Sequence, residues 1–308
     1  MRILIVGAGA VGGYFGGRLL ENGADVTFLV REKRQKQLQE HGLMIESVHG
    51  NVSLDPKTII AGEKADVFDV IVLATKAYHL ADAMKSIEPY VGTETMIVPL
   101  LNGILHIDRL KEHFGDERVV GGLCFIETTL GDEGKIIQTS GRHDLIFGEL
   151  FGGKTDRIKQ LEAVFDRVKA TIRASENITR DMWHKYLFIT TMSGMTTLMR
   201  APLGPILESK GGEAFVISLF NETAAIMRRI GAPIANNIEE QQLKTIKEMN
   251  YEMKSSMQRD MEKGLLIEAD HLQGYLVDIA SEHNMIVPHL QTVYTNLKVY
   301  EQLQLNLM

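Results

Sequence analysis

Cysteine, aromatic residues and long apolar runs are all scarce in this sequence of 308 residues. The one cysteine, Cys124, has no internal disulfide partner, which fits a reducing compartment. No apolar run reaches the roughly 18 residues that a membrane-spanning helix needs, so no such helix is expected. No basic segment precedes the apolar start, so we expect no secretory signal and predict a cytoplasmic location.

Basic residues are too few to dominate the surface. The formal net charge is −7, so the chain lacks the positive footprint of a nucleic-acid-binding protein or of a polybasic membrane patch. Hydrophobic residues make up 44% and charged residues 24%, which is typical of a globular protein with one large or two medium domains. The predicted partner is a small molecule, and no metal site is predicted.

The most informative stretch lies at the beginning of the chain. The apolar, β-prone run Arg2–Val6 is followed by Gly7, Gly9 and Gly12 in the order G-x-G-x-x-G, and apolar residues then recur at helical spacing. Between a strand and a helix, such glycines allow a tight turn, close approach of a pyrophosphate and close packing of the helix on the strand. The stretch predicts a dinucleotide-binding site, with a glycine-rich turn of another α/β protein as the alternative.

The second predicted strand, Asp25–Val30, bears on which dinucleotide binds. In NAD-binding units this strand usually ends in an acidic residue that bonds the ribose, whereas here Arg31 follows it. A cation at this place suits a 2′-phosphate, so NADPH is favoured, although Glu32 could still meet a ribose hydroxyl. The alternative is that Arg31, Lys33 and Arg34 form a solvated helix start.

Two further strands are predicted over Phe68–Ala74 and Met96–Leu101, and polar residues follow both of them. Lys76 comes after the first strand and Asn102 after the second. Ligands of open α/β sheets bind outside the carboxyl ends of the strands, so both residues are candidates for contact with cofactor or substrate. The alternative for Asn102 is a turn-forming role before Gly103.

The rest of the first half predicts additional β-structure. Residues Gly42–Leu54 indicate a β-hairpin inserted in the wound sheet. Strands are predicted at Val119–Leu130, Lys135–Thr139 and Asp144–Phe147, so we expect the sheet to finish antiparallel, covered by a helix at Asp156–Val168.

The pattern changes near residue 175, after which no strand is predicted. Residues Met182–Met199 are too apolar for a surface helix and predict the buried central helix of an all-α domain. We therefore predict an α/β Rossmann-type N-terminal domain at residues 1–175, followed by an all-α C-terminal domain at residues 176–308. A helix from Glu239 to about Met261 would carry four methionines at a spacing of four, a stripe that indicates helix packing or a subunit contact. A homodimer is left open.

Lys185 lies inside the apolar helix segment beside Trp183. A buried lysine can have its pKa moved toward neutrality and can act as a general acid, whereas a lysine at the helix surface simply extends into solvent; composition favours neither. Ser256 and Glu268 are candidate partners because a break at Gly264 allows the chain to turn between them.

The sequence resembles the ketopantoate reductase family over essentially its whole length. The resemblance includes the G-x-G-x-x-G turn and Arg31, but its more specific part is a series of later motifs. These are Lys76 in LATKAY, Asn102 in LNG, Trp183 and Lys185 in WHKYL, Ser256 in SSMQRD and Glu268 in IEADHL. The resemblance implies a Rossmann-type domain followed by a helical domain, in agreement with the pattern change near residue 175.

The resemblance also implies how the cofactor and the substrate bind. NADPH would lie across Gly7, Gly9 and Gly12 with Arg31 on its 2′-phosphate, while Lys76 and Asn102 would line the nicotinamide end. The 2-keto acid would occupy an interdomain cleft, with Asn102 near it.

A catalytic role is implied for two residues. Lys185 would stabilise the negative charge that develops on the carbonyl oxygen, and it would donate the proton. Glu268 would hold Lys185 in position and help to keep it charged, and Ser256 would bond the substrate.

Three positions depart from the family pattern. Asparagines are expected where this chain has Ile189, Ser193 and Leu203. A site with fewer hydrogen bonds discriminates less for a hydroxylated substrate. The leading prediction is NADPH-dependent reduction of 2-dehydropantoate in pantothenate and coenzyme A synthesis. The alternatives are reduction of another 2-keto acid by a mandelate-type D-2-hydroxyacid dehydrogenase, or a non-catalytic NADPH sensor.

Overall fold

The computed structural model describes residues 1–305, which form two compact units. The first unit comprises residues 1–101 and 106–179, and the second, helical unit comprises residues 102–105 and the chain from Arg180 onward. A parallel sheet lies in the first unit, and helices make up the second, which confirms the predicted fold class. The division at residues 175 and 176 stays a prediction, and residues 306–308 of the predicted second domain lie outside the described part.

The first unit contains all the strands of the described chain and five helices. The strands are β1 (Arg2–Val6), β2 (Asp25–Leu29), β3 (Leu43–Ser47), β4 (Val52–Leu54), β5 (Lys57–Ile59), β6 (Phe68–Leu73), β7 (Val91–Pro99), β8 (Gly121–Leu130), β9 (Ile136–Gly148) and β10 (Thr171–Ala174). The helices are α1 (Ala10–Glu21), α2 (Glu32–His41), α3 (Leu80–Ile87), α4 (Leu105–Phe114), which begins at the last residue of the 102–105 segment, and α5 (Asp156–Val164).

The later helices follow one another without intervening strands. They are α6 (Ile178–Met199), α7 (Leu203–Glu208), α8 (Gly212–Arg229), α9 (Ile238–Glu248), α10 (Ser256–Glu262), α11 (Tyr275–Glu282) and α12 (Pro288–Leu305). Across residues 1–305, no helix combines the length and the apolar character that crossing a bilayer requires.

The wound sheet has the strand order β5-β2-β1-β6-β7, and all of its pairs are parallel. Its central strands β1 and β6 are apolar and buried, as expected for strands covered on both faces. Pro99 ends β7, which is an edge strand of this sheet and therefore tolerates a residue without an N–H donor.

A second sheet takes up the β-structure that was predicted to extend the wound sheet. Strands β3 and β4 do form the predicted antiparallel hairpin, but β3 pairs with β9, so its placement in the wound sheet was wrong. The two strands predicted at residues 135–139 and 144–147 are one continuous strand, β9, which pairs antiparallel with β8. β10, which was not predicted, pairs parallel with β9. Strand pairing depends on distant partners, which local patterns do not specify.

Helix α1 packs against both sheets because glycines replace side chains along it. A Cβ added to Gly16 would lie 2.7 Å from a ring carbon of Phe28 in β2. A Cβ added to Gly17 would lie 2.6 Å from Cδ1 of Ile45 in β3. The close packing holds the beginning of α1 against the end of β1, where the candidate nucleotide site lies.

Helix α6 is the predicted buried helix of the second unit, and its residues Thr190 to Thr197 are all buried. The predicted helix from Glu239 to Met261 is wrong as a single element, because α9 ends at Glu248 and α10 begins at Ser256. The Asn250 side chain accepts a hydrogen bond from the Glu252 N–H at 2.8 Å, which stabilises a turn in the break. The four methionines therefore do not form one stripe.

Candidate functional site

Residues 7–12 are called here the glycine turn. They comprise the connection after β1 and the first three residues of α1. Gly7 has a φ of +94°, a value that favours glycine, and its N–H donates to the Leu29 carbonyl at 3.0 Å. A Cβ on Gly12 would lie 2.1 Å from the Gly7 carbonyl oxygen and 2.9 Å from Cβ of Ala74. Any side chain at position 12 would thus open the contact between α1 and the strands.

The second glycine of the motif, Gly9, faces open space. A Cβ added to Gly9 would meet no atom within 4 Å, and no acidic residue lies in the first turn of α1. No carboxylate in the first helical turn of α1 therefore neutralises the positive end of the helix dipole or binds its free N–H groups. These features fit a pyrophosphate, so the turn is compatible with the predicted dinucleotide.

Arg31 lies between the end of β2 and the beginning of α2, where it contacts a residue that sequence reasoning missed. Its Nη2 lies 3.3 Å from Nδ1 of His79, in the 3₁₀ helix that follows β6. Burial, followed by the charge of Arg31, lowers the pKa of His79 below its ordinary value. The position of His79, three residues after Lys76 at a strand end, is the one signal in the sequence that could have indicated it.

Lys76 is half-buried and directly precedes the same 3₁₀ helix, at the carboxyl end of β6 as predicted. Its neighbour Thr75 packs beside the glycine turn, with Cγ2 3.5 Å from the Cβ position of Gly7. Within residues 1–305 the buried Thr75 hydroxyl has no hydrogen-bond partner. Thr75 therefore lies beside the glycine turn, and Lys76 is the next residue along the chain.

In the helical unit, the structure buries both predicted catalytic residues. Lys185 in α6 is 6% exposed and Glu268 is 8% exposed. The alternative in which Lys185 extends into solvent from the helix surface is therefore wrong. Burial of two ionisable groups costs free energy unless they are paired or functional, so both positions are candidates for chemistry.

Ser256 is the first residue of α10 and is exposed. Ser255, which sequence reasoning did not single out, is buried and caps α10 by accepting a hydrogen bond from the Gln258 N–H. The Thr196 hydroxyl donates to Ser255 Oγ at 2.8 Å, which ties α10 to α6. The first serine of SSMQRD thus anchors the segment, and the second is accessible to a ligand.

Asn102 belongs to the helical unit although it follows β7 of the first unit by only three residues. Its carbonyl oxygen lies 2.8 Å from Nε2 of His271, a residue that sequence reasoning also missed. Gly103 has a φ of +83°, and a Cβ there would lie 2.9 Å from the His271 ring. His271 lies in a π-helical segment (Asp270–Gly274) that begins two residues after Glu268, and the Leu272 N–H of this segment donates to the Glu268 carbonyl at 3.0 Å.

The three departures from the family pattern lie in the helical unit. Ile189 and Ser193 follow Lys185 at helical spacing on one face of α6, and Leu203 is 1% exposed. Ser193 Oγ accepts a hydrogen bond from Gln273 Nε2 at 2.9 Å, so the serine already has a protein partner. Gln273 Oε1 is buried and has no partner within residues 1–305.

The parallel sheet with its glycine turn and the separate helical unit define a two-part architecture, a Rossmann-type unit and an all-helical unit. Residues 3–152 match the family model described as ketopantoate reductase PanE/ApbA, and residues 177–301 match the model of its C-terminal part. The chain belongs to the ketopantoate reductase family, which confirms the resemblance.

Individual relatives cover nearly the whole chain. An uncharacterized oxidoreductase of Bacillus subtilis, YkpB, is 47% identical over 98% of this chain and 99% of its own. The crystal structure of 2-dehydropantoate 2-reductase from Geobacter metallireducens has a TM-score of 0.88 at 28% identity, covering 97% of this chain and 99% of that one. D-mandelate dehydrogenase in complex with NADH and anilino(oxo)acetate has a TM-score of 0.89 at 22% identity, covering 99% of each chain, and shares the fold.

Proposed function

We propose that this oxidoreductase uses NADPH to reduce a 2-keto acid, with 2-dehydropantoate reduced to pantoate in pantothenate and coenzyme A synthesis as the leading assignment. The observation that carries the proposal is the burial of Lys185 and Glu268 in the helical unit, at 6% and 8% exposure. Both residues match family motifs, and a lysine beside a carboxylate is one pair of groups that can donate a proton to a carbonyl oxygen. The cytoplasmic location and the homodimer remain predictions.

The backbone and the cations of the first unit would supply most of the cofactor contacts, and Asn102 of the helical unit would add one more. The glycine turn would bind the pyrophosphate and Arg31 the 2′-phosphate, while Lys76 and Asn102 would contact the nicotinamide end. When bound, the nicotinamide supplies a hydride for the carbonyl carbon of the keto acid.

The helical unit would supply the proton. Lys185 in its ammonium form would stabilise the developing negative charge on the carbonyl oxygen and donate a proton from Nζ to that oxygen. Glu268 would orient Lys185 and favour its charged form. Ser256, which is exposed, and Asn102 would bind the substrate.

A second candidate is the reduction of a 2-keto acid without a hydroxyl group, of the mandelate type. The apolar side chains of Ile189 and Leu203, together with the Ser193–Gln273 hydrogen bond, favour it. Asparagines at these positions would offer hydrogen bonds to a hydroxylated substrate, and this chain lacks them.

The test is a substrate panel with the purified protein. NADPH oxidation is measured with 2-dehydropantoate, branched 2-keto acids and aromatic 2-keto acids, and cofactor binding is measured separately by calorimetry. Turnover of 2-dehydropantoate at the highest kcat/KM supports the leading assignment, and a preference for an unhydroxylated acid supports the second. Tight NADPH binding without turnover of any 2-keto acid would contradict both and leave the non-catalytic sensor.

A further inference from the structure

Arg34 connects α2 to the glycine turn. It lies in the first turn of α2, three residues after Arg31, and its Nε donates a hydrogen bond to the Ala8 carbonyl at 3.0 Å. Ala8 lies between Gly7 and Gly9, so the guanidinium is held directly against the backbone of the nucleotide site. A Cβ added to Gly134 would overlap the guanidinium, so a glycine there leaves room for it.

The guanidinium of Arg34 is largely removed from solvent, but its terminal nitrogens have few hydrogen-bond partners. Its Nη2 is buried and has no hydrogen-bond partner within residues 1–305, and its Nη1 makes one long contact of 3.5 Å with Gln37 Oε1. Burial lowers the pKa of Arg34, and no carboxylate acts against this effect. A partly buried cation without an anion is costly, and this cost is offset when a ligand supplies the anion.

We propose that Arg34 is a second ligand of the cofactor's 2′-phosphate and, with Arg31, a determinant of NADPH over NADH. This inference rests on the proposed use of NADPH. Arg31 is the N-cap of α2 and Arg34 is the third residue of that helix, so both cations lie at the same helix end. A guanidinium binds a phosphate through two parallel N–H donors. The pyrophosphate, which the glycine turn binds in both cofactors, is the competing ligand for Arg34.

Direct binding measurements on matched variants test the proposal. Arg34→Ala is compared with Lys33→Ala, which removes the same charge from the adjacent, exposed position of α2. Dissociation constants for NADPH and NADH are measured by calorimetry without keto acid, so that catalysis plays no part. We expect Arg34→Ala to weaken NADPH about tenfold or more and NADH less than twofold, and Lys33→Ala to change both less than twofold.

A second variant separates phosphate binding from damage to the turn, because Arg34→Ala also removes the hydrogen bond to Ala8. Arg34→Lys keeps the charge but removes the planar pair of donors, and it should restore part of the NADPH affinity. Equal weakening of NADPH and NADH by Arg34→Ala, unchanged binding of both, or an equal effect of Lys33→Ala would overturn the proposal. If Arg31→Ala is selective for NADPH and Arg34→Ala is not, this inference alone fails; if wild type does not prefer NADPH, the proposed cofactor fails.

Discussion

The glycine turn and the polar residues of the helical unit differ in how they are built. The glycine turn comes from six consecutive residues, and its geometry depends on the absence of side chains at positions 7 and 12, while Gly9 leaves open space. The helical unit contains Lys185, Glu268 and Asn102, which come from distant parts of the chain. The comparison teaches that the proposed nucleotide site is local and consists mostly of backbone, whereas the proposed proton-donating site depends on side chains that tertiary packing buries.

The largest expected effect is in the helical unit. Lys185→Ala should reduce kcat by about 10²- to 10⁴-fold because it removes the proposed proton donor, while NADPH affinity should change less than twofold. Steady-state kinetics and calorimetry measure the two quantities. Lys210→Ala, at an exposed position, is the control. Wild-type kcat in Lys185→Ala would refute the assignment of the donor.

Two alanine substitutions in the glycine turn should separate folding from binding. Gly12→Ala forces a Cβ to within 2.1 Å of the Gly7 oxygen and should lower stability by about 1–3 kcal/mol, measured as a decrease in Tm. Gly9→Ala meets no atom within 4 Å, so Tm should be unchanged while NADPH and NADH both bind more weakly. Equal Tm values for the two variants would contradict the close packing of α1.

Acid should destabilise the first unit through Glu149, which is buried at the end of β9. Burial raises the pKa of Glu149, but hydrogen bonds from Arg157 and Thr155 outweigh this effect and hold the pKa below its ordinary value of 4.5. The stabilisation is therefore complete above pH 4.5 and lost as the pH falls through the lower, folded-state pKa.

Glu149→Gln accordingly should lower stability by about 2 kcal/mol at pH 7, and the difference from wild type should shrink in acid. Chemical denaturation at pH 7 and pH 3.5 measures this change. Asp66→Asn, at a side chain that is 94% exposed, provides the control and should have little effect at either pH. A difference that persists in acid would exclude the ion pair as its source.

The smallest expected effect concerns substrate choice. Ile189→Asn restores a polar group on the same face of α6 as Lys185, and it should shift the kcat/KM ratio about tenfold toward 2-dehydropantoate over an unhydroxylated branched 2-keto acid. Ile189→Val, which adds no polar group, should leave the ratio unchanged. The same ratio in both variants would mean that position 189 does not face the substrate.

Sequence reasoning succeeded where the determining interactions are local. The strand before the glycine turn, the glycines and helix α1 were predicted correctly, because the hydrophobic pattern and the steric limits of neighbouring residues specify them. The hairpin β3–β4 was predicted, but the sheet to which it belongs was not. Its strand β3 pairs with β9 through residues far apart in the chain, such as Ile45 and Ile136, and local patterns do not specify such pairs. The break between α9 and α10 was missed because methionines at a spacing of four were interpreted as one continuous helix. The turn at Asn250 and the helix cap at Ser255 interrupt it.

The same division applies to the candidate site. The sequence by itself determined the family and the glycine turn, and it marked Lys185 and Glu268 as candidate catalytic residues. These features depend on residue types at set spacings. Only the tertiary structure decided that Lys185 is buried, that His271 holds the Asn102 backbone and that the Arg34 guanidinium lies against Ala8 without an anion. Burial and partnership depend on residues far apart in the chain, and a linear pattern does not bring them together.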